Sequence, residues 1–155
     1  MINKIFVVCN DKFGEFLLII PALRALKESF PQANVTIAVD TYASELAEAI
    51  EYADDVIIWE NKKHPLKEVF EFSNHLKEKS FDLAIVFNPG FEVHLAVFMA
   101  KIPVRAGYNR NCGFLLTHKI KDYRYLAQMH GVEYNLELVG LIGAITKNKS
   151  LSLKI

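Results

Sequence analysis

Ile5-Phe6-Val7-Val8-Cys9-Asn10-Asp11-Lys12-Phe13-Gly14-Glu15-Phe16-Leu17-Leu18-Ile19-Ile20-Pro21-Ala22-Leu23-Arg24-Ala25-Leu26-Lys27 is the stretch that decides the fold. The apolar run Ile5 to Cys9 has no polar alternation, as a strand buried on both faces requires. A short polar loop with Gly14 follows. The apolar spacing then predicts a helix from Glu15 to Phe30, in which Ala25, Leu26, Lys27 and Glu28 are strong helix formers. Pro21 either bends this helix or marks its real first turn, and Pro31 stops it. Glu15 therefore falls on a first helical turn at the carboxyl edge of a sheet, the edge where open α/β sheets bind their ligands.

The rest of the chain repeats the alternation. Strands are predicted at Val35 to Val39, Asp55 to Trp59, Phe81 to Phe87 and Val104 to Tyr108. Helices are predicted at Ala43 to Ile50, with Thr41 or Ser44 as cap, and at His64 to Lys79 with Leu66, Val69, Phe70 and Leu76 on one side. Two more are predicted at Phe91 to Lys101 and at His130 to Ile145, the latter with Val132, Leu136, Val139 and Leu141 on its apolar face. Residues 109 to 129 follow neither period. The pattern indicates an α/β, Rossmann-like three-layer sandwich with a mainly parallel sheet. Residues 1–145 form one domain in this reading, and the polar segment 146–155 begins a linker.

The 155 residues suffice for one domain with a real core. Apolar residues make up 52% and charged residues 23%, a globular composition. Lys+Arg and Asp+Glu both number 18, and this neutral balance argues against broad nucleic-acid binding. No apolar run approaches the roughly 18–20 residues of a membrane span, and no signal peptide pattern is visible, so a cytoplasmic protein is expected. Cys9 and Cys112 have no metal-ligand spacing. His64, His75, His94 and His118 include no His-x-x-x-His pair, so no metal site is expected. Neither Gly-x-Gly-x-x-Gly nor a phosphate-loop Gly-Lys-Ser/Thr follows the first strand, which disfavours a nicotinamide or ATP cofactor.

Four segments in order resemble one known family. Gly14-Glu15 followed by Pro21-Ala22-Leu23-Arg24-Ala25-Leu26-Lys27 is similar to the N-terminal signature of the glycosyltransferase family 9 heptosyltransferases, where Gly-Asp precedes Pro-x-Leu-Arg-Ala-Leu-Lys. Phe81-Asp82-Leu83-Ala84-Ile85-Val86-Phe87-Asn88 resembles the family's Tyr-Asp-Leu-x-Ile-Asp-Leu-Gln strand. Ile102-Pro103-Val104-Arg105-Ala106-Gly107-Tyr108 resembles its apolar-x-x-Arg-x-Gly-aromatic strand. His130-Gly131-Val132-Glu133 is similar to its His-x-x-Glu pair.

The resemblance implies the N-terminal, acceptor-binding half of a two-domain GT-B glycosyltransferase. The activity implied is inverting transfer of heptose from ADP-heptose to a hydroxyl of the lipopolysaccharide inner core, without a metal or bound cofactor. The donor is expected to bind a second domain that lies outside this chain. The acceptor also allows a peripheral contact with the inner membrane surface. Glu15 stands where the family has its aspartate base, one methylene longer.

On the residues alone, Glu15 is either that base or a first-turn acid complementing the helix dipole. Gly14 either admits a ligand close to the backbone or simply makes the turn. Asn10, Asp11 and Lys12 line the same loop, and Lys12 meets an acceptor anion or is solvated. Asn88 and Gly90 shape the cleft or end the strand. Arg105, Arg110, Lys119, Lys121 and Arg124 form a basic stretch suited to the anionic inner core, or are solvated charges. His130 reads as a structural cap or an interhelix hydrogen bond rather than a catalytic group. The alternative function is a saccharide-binding or partner-docking module without catalysis.

Overall fold

The computed structural model describes residues 1–11, 13–124 and 131–151. Among them, six strands form one parallel sheet in the order β3-β2-β1-β4-β5-β6: β1 Lys4–Val8, β2 Asn34–Val39, β3 Asp55–Ile58, β4 Leu83–Val86, β5 Val104–Tyr108 and β6 His118–Ile120. The helices are α1 Phe13–Leu17, α2 Ile20–Ser29, α3 Ser44–Ala49, α4 Leu66–Lys79, α5 Phe91–Met99 and α6 Gly131–Gly140. This is the expected Rossmann-like α/β sandwich.

Alternation along β1 divides the core in two. Ile5, Val7 and Cys9 pack with α1, α2, α3 and α6, whereas Phe6 and Val8 pack with α4 and α5. All four of Ile5–Val8 are fully buried. An unbroken apolar strand is therefore what a central position covered on both faces demands. No helix among the described residues is long and apolar enough to cross a membrane.

The structure departs from the sequence reading at definite places. The long first helix is two: α1 ends at Leu17, and Pro21 occupies the first turn of α2, where its missing N–H leaves no bond unmade. Neither Thr41 nor Ser44 caps α3; a 3-10 turn at Thr41–Ala43 precedes it, and the Ser44 hydroxyl donates back to the Thr41 carbonyl at 2.8 Å. On α4 the buried stripe is Val69, Phe72, Ser73 and Leu76, while Leu66 and Phe70 are exposed. On α6, Leu136 is only half-buried and Leu141 lies in the exposed turn that follows.

The segment 146–151 lies against the domain. Arg24 on α2 is 2% exposed and donates from Nη1 to the Asn148 carbonyl (2.6 Å) and from Nη2 to the Ser150 carbonyl (2.8 Å). Its Nε donates to the Tyr52 hydroxyl at 3.0 Å. The buried guanidinium thus draws the outgoing chain against α2, and Lys149 reinforces this with an ion pair to Glu133 at 2.8 Å.

Candidate active site

The strand order reverses between β1 and β4, with β2 and β3 on one side and β5 and β6 on the other. The crevice beyond the carboxyl ends of β1 and β4 is therefore the topological switch point, the position at which open sheets hold ligands. Two asparagines close its floor. The Asn10 backbone N–H donates to Asn88 Oδ1 at 3.1 Å, and Asn88 Nδ2 returns a bond to Asn10 Oδ1. Asn10 Nδ2 also donates to the Trp59 carbonyl at 3.0 Å. Asn10 is buried, so it ties the strand ends together instead of presenting itself to a ligand.

Above this floor, Cys9, Asp11, Glu15, Phe87 and Arg124 surround a space of ≈ 10 Å³. That volume admits about one water. A sugar would meet the group at its open mouth. Glu15 lies there, exposed, on α1, and no described residue donates a hydrogen bond to its carboxylate. Cys9 lies beneath, where burial pushes its thiol up to about 12, so it stays protonated and unreactive.

Arg124 supplies the positive charge opposite. Its guanidinium carbon lies over the Tyr108 ring, 3.8 Å from the centroid, and Nη1 donates to the Phe87 carbonyl at 3.1 Å. Nε and Nη2 grip the Asp122 carboxylate, each at 2.9 Å. The Asp122 side chain is 2% exposed, and burial alone would raise its pKa. The bonds from Arg124 and Arg110 outweigh that and hold the carboxyl at about 2. Burial opposes the Arg124 charge, yet Asp122 beside it moves its pKa up. Below, burial raises the Tyr108 phenol, which stays protonated and donates to Asn135 Oδ1 at 2.7 Å. Asn135 Nδ2 in turn donates to the Leu18 carbonyl at 3.2 Å, anchoring the end of α1. One network therefore fixes Arg124 and the helix that carries Glu15.

The sequence candidates divide accordingly. Glu15, Asp11, Asn10 and Asn88 meet at the switch point; Arg110 reaches its rim through Asp122 at 3.2 Å. Gly14 has ordinary negative φ, and a Cβ there would meet nothing within 4 Å, so the turn itself does not require glycine. Gly90 precedes α5 as its N-cap. Lys12 and His130 lie outside the described residues.

Arg105 is a correction. It sits near the amino end of β5, level with Phe6 and Ala84, and its guanidinium donates to the carbonyls of Ile102 (2.7 Å) and Leu115 (2.8 Å). Those bonds staple the loops at the opposite end of the strand, away from the site. Arg124, which the sequence shows only as one member of a basic stretch, takes the position instead. The signal for it is Asp122-x-Arg124 after a strand-end tyrosine, too common a pattern to act on alone. Among the described residues, no three His, Cys, Asp or Glu side chains cluster to hold a metal.

Comparison with known proteins bears out the expected fold. No family model matches the chain. A putative glycosyltransferase of Haemophilus influenzae is 30% identical over 138 residues, covering 88% of this chain and 40% of that protein. The structure of an E. coli ADP-heptose lipopolysaccharide heptosyltransferase II superimposes with a TM-score of 0.76 at 24% identity, over 88% of this chain and 40% of the other. A glycosyl transferase family 9 protein from Veillonella parvula matches at 0.80 and 17% identity, over 96% and 43%. E. coli heptosyltransferase WaaC, solved with ADP-2-deoxy-2-fluoro heptose, matches at 0.74 and 19% identity, over 95% and 50%. The chain has the fold of family 9 heptosyltransferases and spans 40–50% of the length of these relatives.

Proposed function

We propose that a chain with this family fold serves as the acceptor-binding half of an inverting heptosyltransferase. The observation that carries the reading is the exposed Glu15 carboxylate at the switch point, to which no described residue donates a hydrogen bond, beside a guanidinium locked in place by Asp122, Tyr108 and the Phe87 carbonyl. An acceptor hydroxyl is a weak nucleophile, and a carboxylate within hydrogen-bond reach takes its proton as the new bond forms. In this reaction the hydroxyl oxygen of the lipopolysaccharide inner core attacks the anomeric carbon of ADP-heptose. The carbon–oxygen bond to ADP breaks on the opposite face, ADP leaves with the electron pair, and Glu15 holds the proton.

ADP-heptose binds a second domain, and this chain supplies the base and the acceptor surface. Three of the five N–H groups of Arg124 are committed to Asp122 and Phe87. The side chain remains 26% exposed, which leaves its outward edge for a phosphate or sugar carboxylate of the acceptor. Because that acceptor is anchored in lipid, the reaction takes place at the cytoplasmic surface of the inner membrane.

The test is a transfer assay on the protein that carries this chain together with a donor domain, using ADP-heptose and delipidated inner-core oligosaccharide. Glu15→Gln should lower kcat by about 10²–10⁴-fold and leave the acceptor KM nearly unchanged. Equal rates for the parent and Glu15→Gln would refute the assignment. Saccharide binding by a parent protein that transfers nothing would favour the non-catalytic module.

A further inference from the structure

The carboxyl edge of the sheet is polarised, and the pole opposite Arg124 holds an exposed aromatic ring. Tyr42 lies in the 3-10 turn that follows β2, with 56% of its surface exposed. The ring is nonetheless held: its hydroxyl donates to the Asp11 carbonyl at 2.6 Å. Asp11 belongs to the loop that leads into α1 and Glu15, so Tyr42 is tied to the wall of the site itself.

The surroundings select what such a ring could meet. Burial pushes the Tyr42 phenol up, and Asp40, Asp11 and Glu60 nearby push the same way, while Lys62 opposes them at Glu60. An anionic group is disfavoured here. On the far side of β1, Arg124, Arg110 and Lys121 favour one. From β2 across β1 to β4 is two strand spacings, roughly 10 Å, which is the reach of about two sugar rings.

We infer that Tyr42 is a second wall of the acceptor groove: its ring stacks against an uncharged pyranose face, and the anionic substituents of the same saccharide lie toward Arg124. This deepens the proposed function and rests on the acceptor being a saccharide. An aromatic ring gives the flat C–H face of a sugar a large contact at little cost in side-chain freedom. The tether to Asp11 orders the ring before the ligand arrives.

The experiment compares the parent protein with Tyr42→Ala, Tyr42→Phe and Arg124→Gln, titrated with delipidated inner-core oligosaccharide in native and phosphatase-treated forms. Tyr42→Ala should weaken binding of both forms about fivefold to tenfold. Tyr42→Phe, which keeps the ring, should recover most of that affinity. Arg124→Gln should weaken only the phosphorylated form. In the transfer assay the Tyr42→Ala loss should fall on the acceptor KM, whereas a disturbed loop would displace Glu15 and lower kcat. Tyr42→Ala binding as tightly as the parent would overturn the inference and leave the proposed function standing. A penalty confined to the phosphorylated form would overturn the orientation. A parent protein that binds neither form would overturn both readings.

Discussion

Replacing Asp122 by asparagine should cost the fold about 2 kcal/mol at neutral pH, and that cost should vanish in acid. The magnitude follows from the carboxyl's position. Its side chain is 2% exposed, gripped by Arg124 through two 2.9 Å bonds and by Arg110 at 3.2 Å. A carboxyl moved from 3.8 to about 2 in the folded state contributes about 2 kcal/mol above both values. The folded pKa lies below the unfolded one, so the contribution is complete above pH 5. It fades as pH falls through 3.8 toward 2. Asparagine keeps the shape and one acceptor oxygen but not the charge. Urea unfolding of parent and Asp122→Asn at pH 7, 5, 4 and 3 reads both the size and the trend. The gap should be about 2 kcal/mol at the first two points and shrink at the last two. Equal stabilities at pH 7, or a gap unchanged down to pH 3, would refute the argument that Asp122 is held ionised by the two arginines.

Two further outcomes follow from buried groups away from the site. Arg24→Met should destabilise the protein by about 2–4 kcal/mol, because the carbonyls of Asn148 and Ser150 lose a charged donor; hydrogen exchange should show residues 146–151 losing protection in the folded protein. His94 is fully buried, donates from Nδ1 to the Asn111 carbonyl at 2.9 Å, and has no partner at Nε2 among the described residues. Burial lowers its pKa from 6.5, so stability should fall as pH drops below that value, when the unfolded chain takes up a proton the folded one refuses. His94→Leu should flatten that part of the stability profile, and an unchanged slope would contradict the assignment.

The fold was legible where burial on both faces leaves only apolar residues, as in Ile5–Val8, Val35–Val39 and Leu83–Val86. It was illegible where elements are short or exposed. β6 is three residues at the sheet edge, two of them the exposed polar His118 and Lys119, so no period could develop. On α4, Ser73 sits in the middle of the buried stripe and broke its apolar pattern, which drew the reading toward Phe70 on the wrong face. The site was half legible. Loop position alone brought Glu15, Asp11 and Asn88 to the sheet edge. Which arginine joins them depends on β5 and the segment after β6 meeting in space: Arg105 and Arg124 look alike in sequence but lie toward opposite ends of the sheet. The same holds for Tyr42, whose hydroxyl reaches a carbonyl 31 positions away.

The clasp that Arg24 makes also sets an order in time. The two carbonyls it holds are 124 and 126 positions further along the chain. During synthesis the N-terminal strands emerge first and begin to pair. α2 can form early, but its arginine then lacks the Asn148 and Ser150 carbonyls, so that edge of the guanidinium stays hydrated, because burying it without acceptors is too costly. The clasp on the outgoing chain therefore waits until residue 150 has emerged. Only then does the nascent domain gain that contact, so a ribosome stalled before that point would carry α2 packed on the sheet with its guanidinium still facing water at one edge.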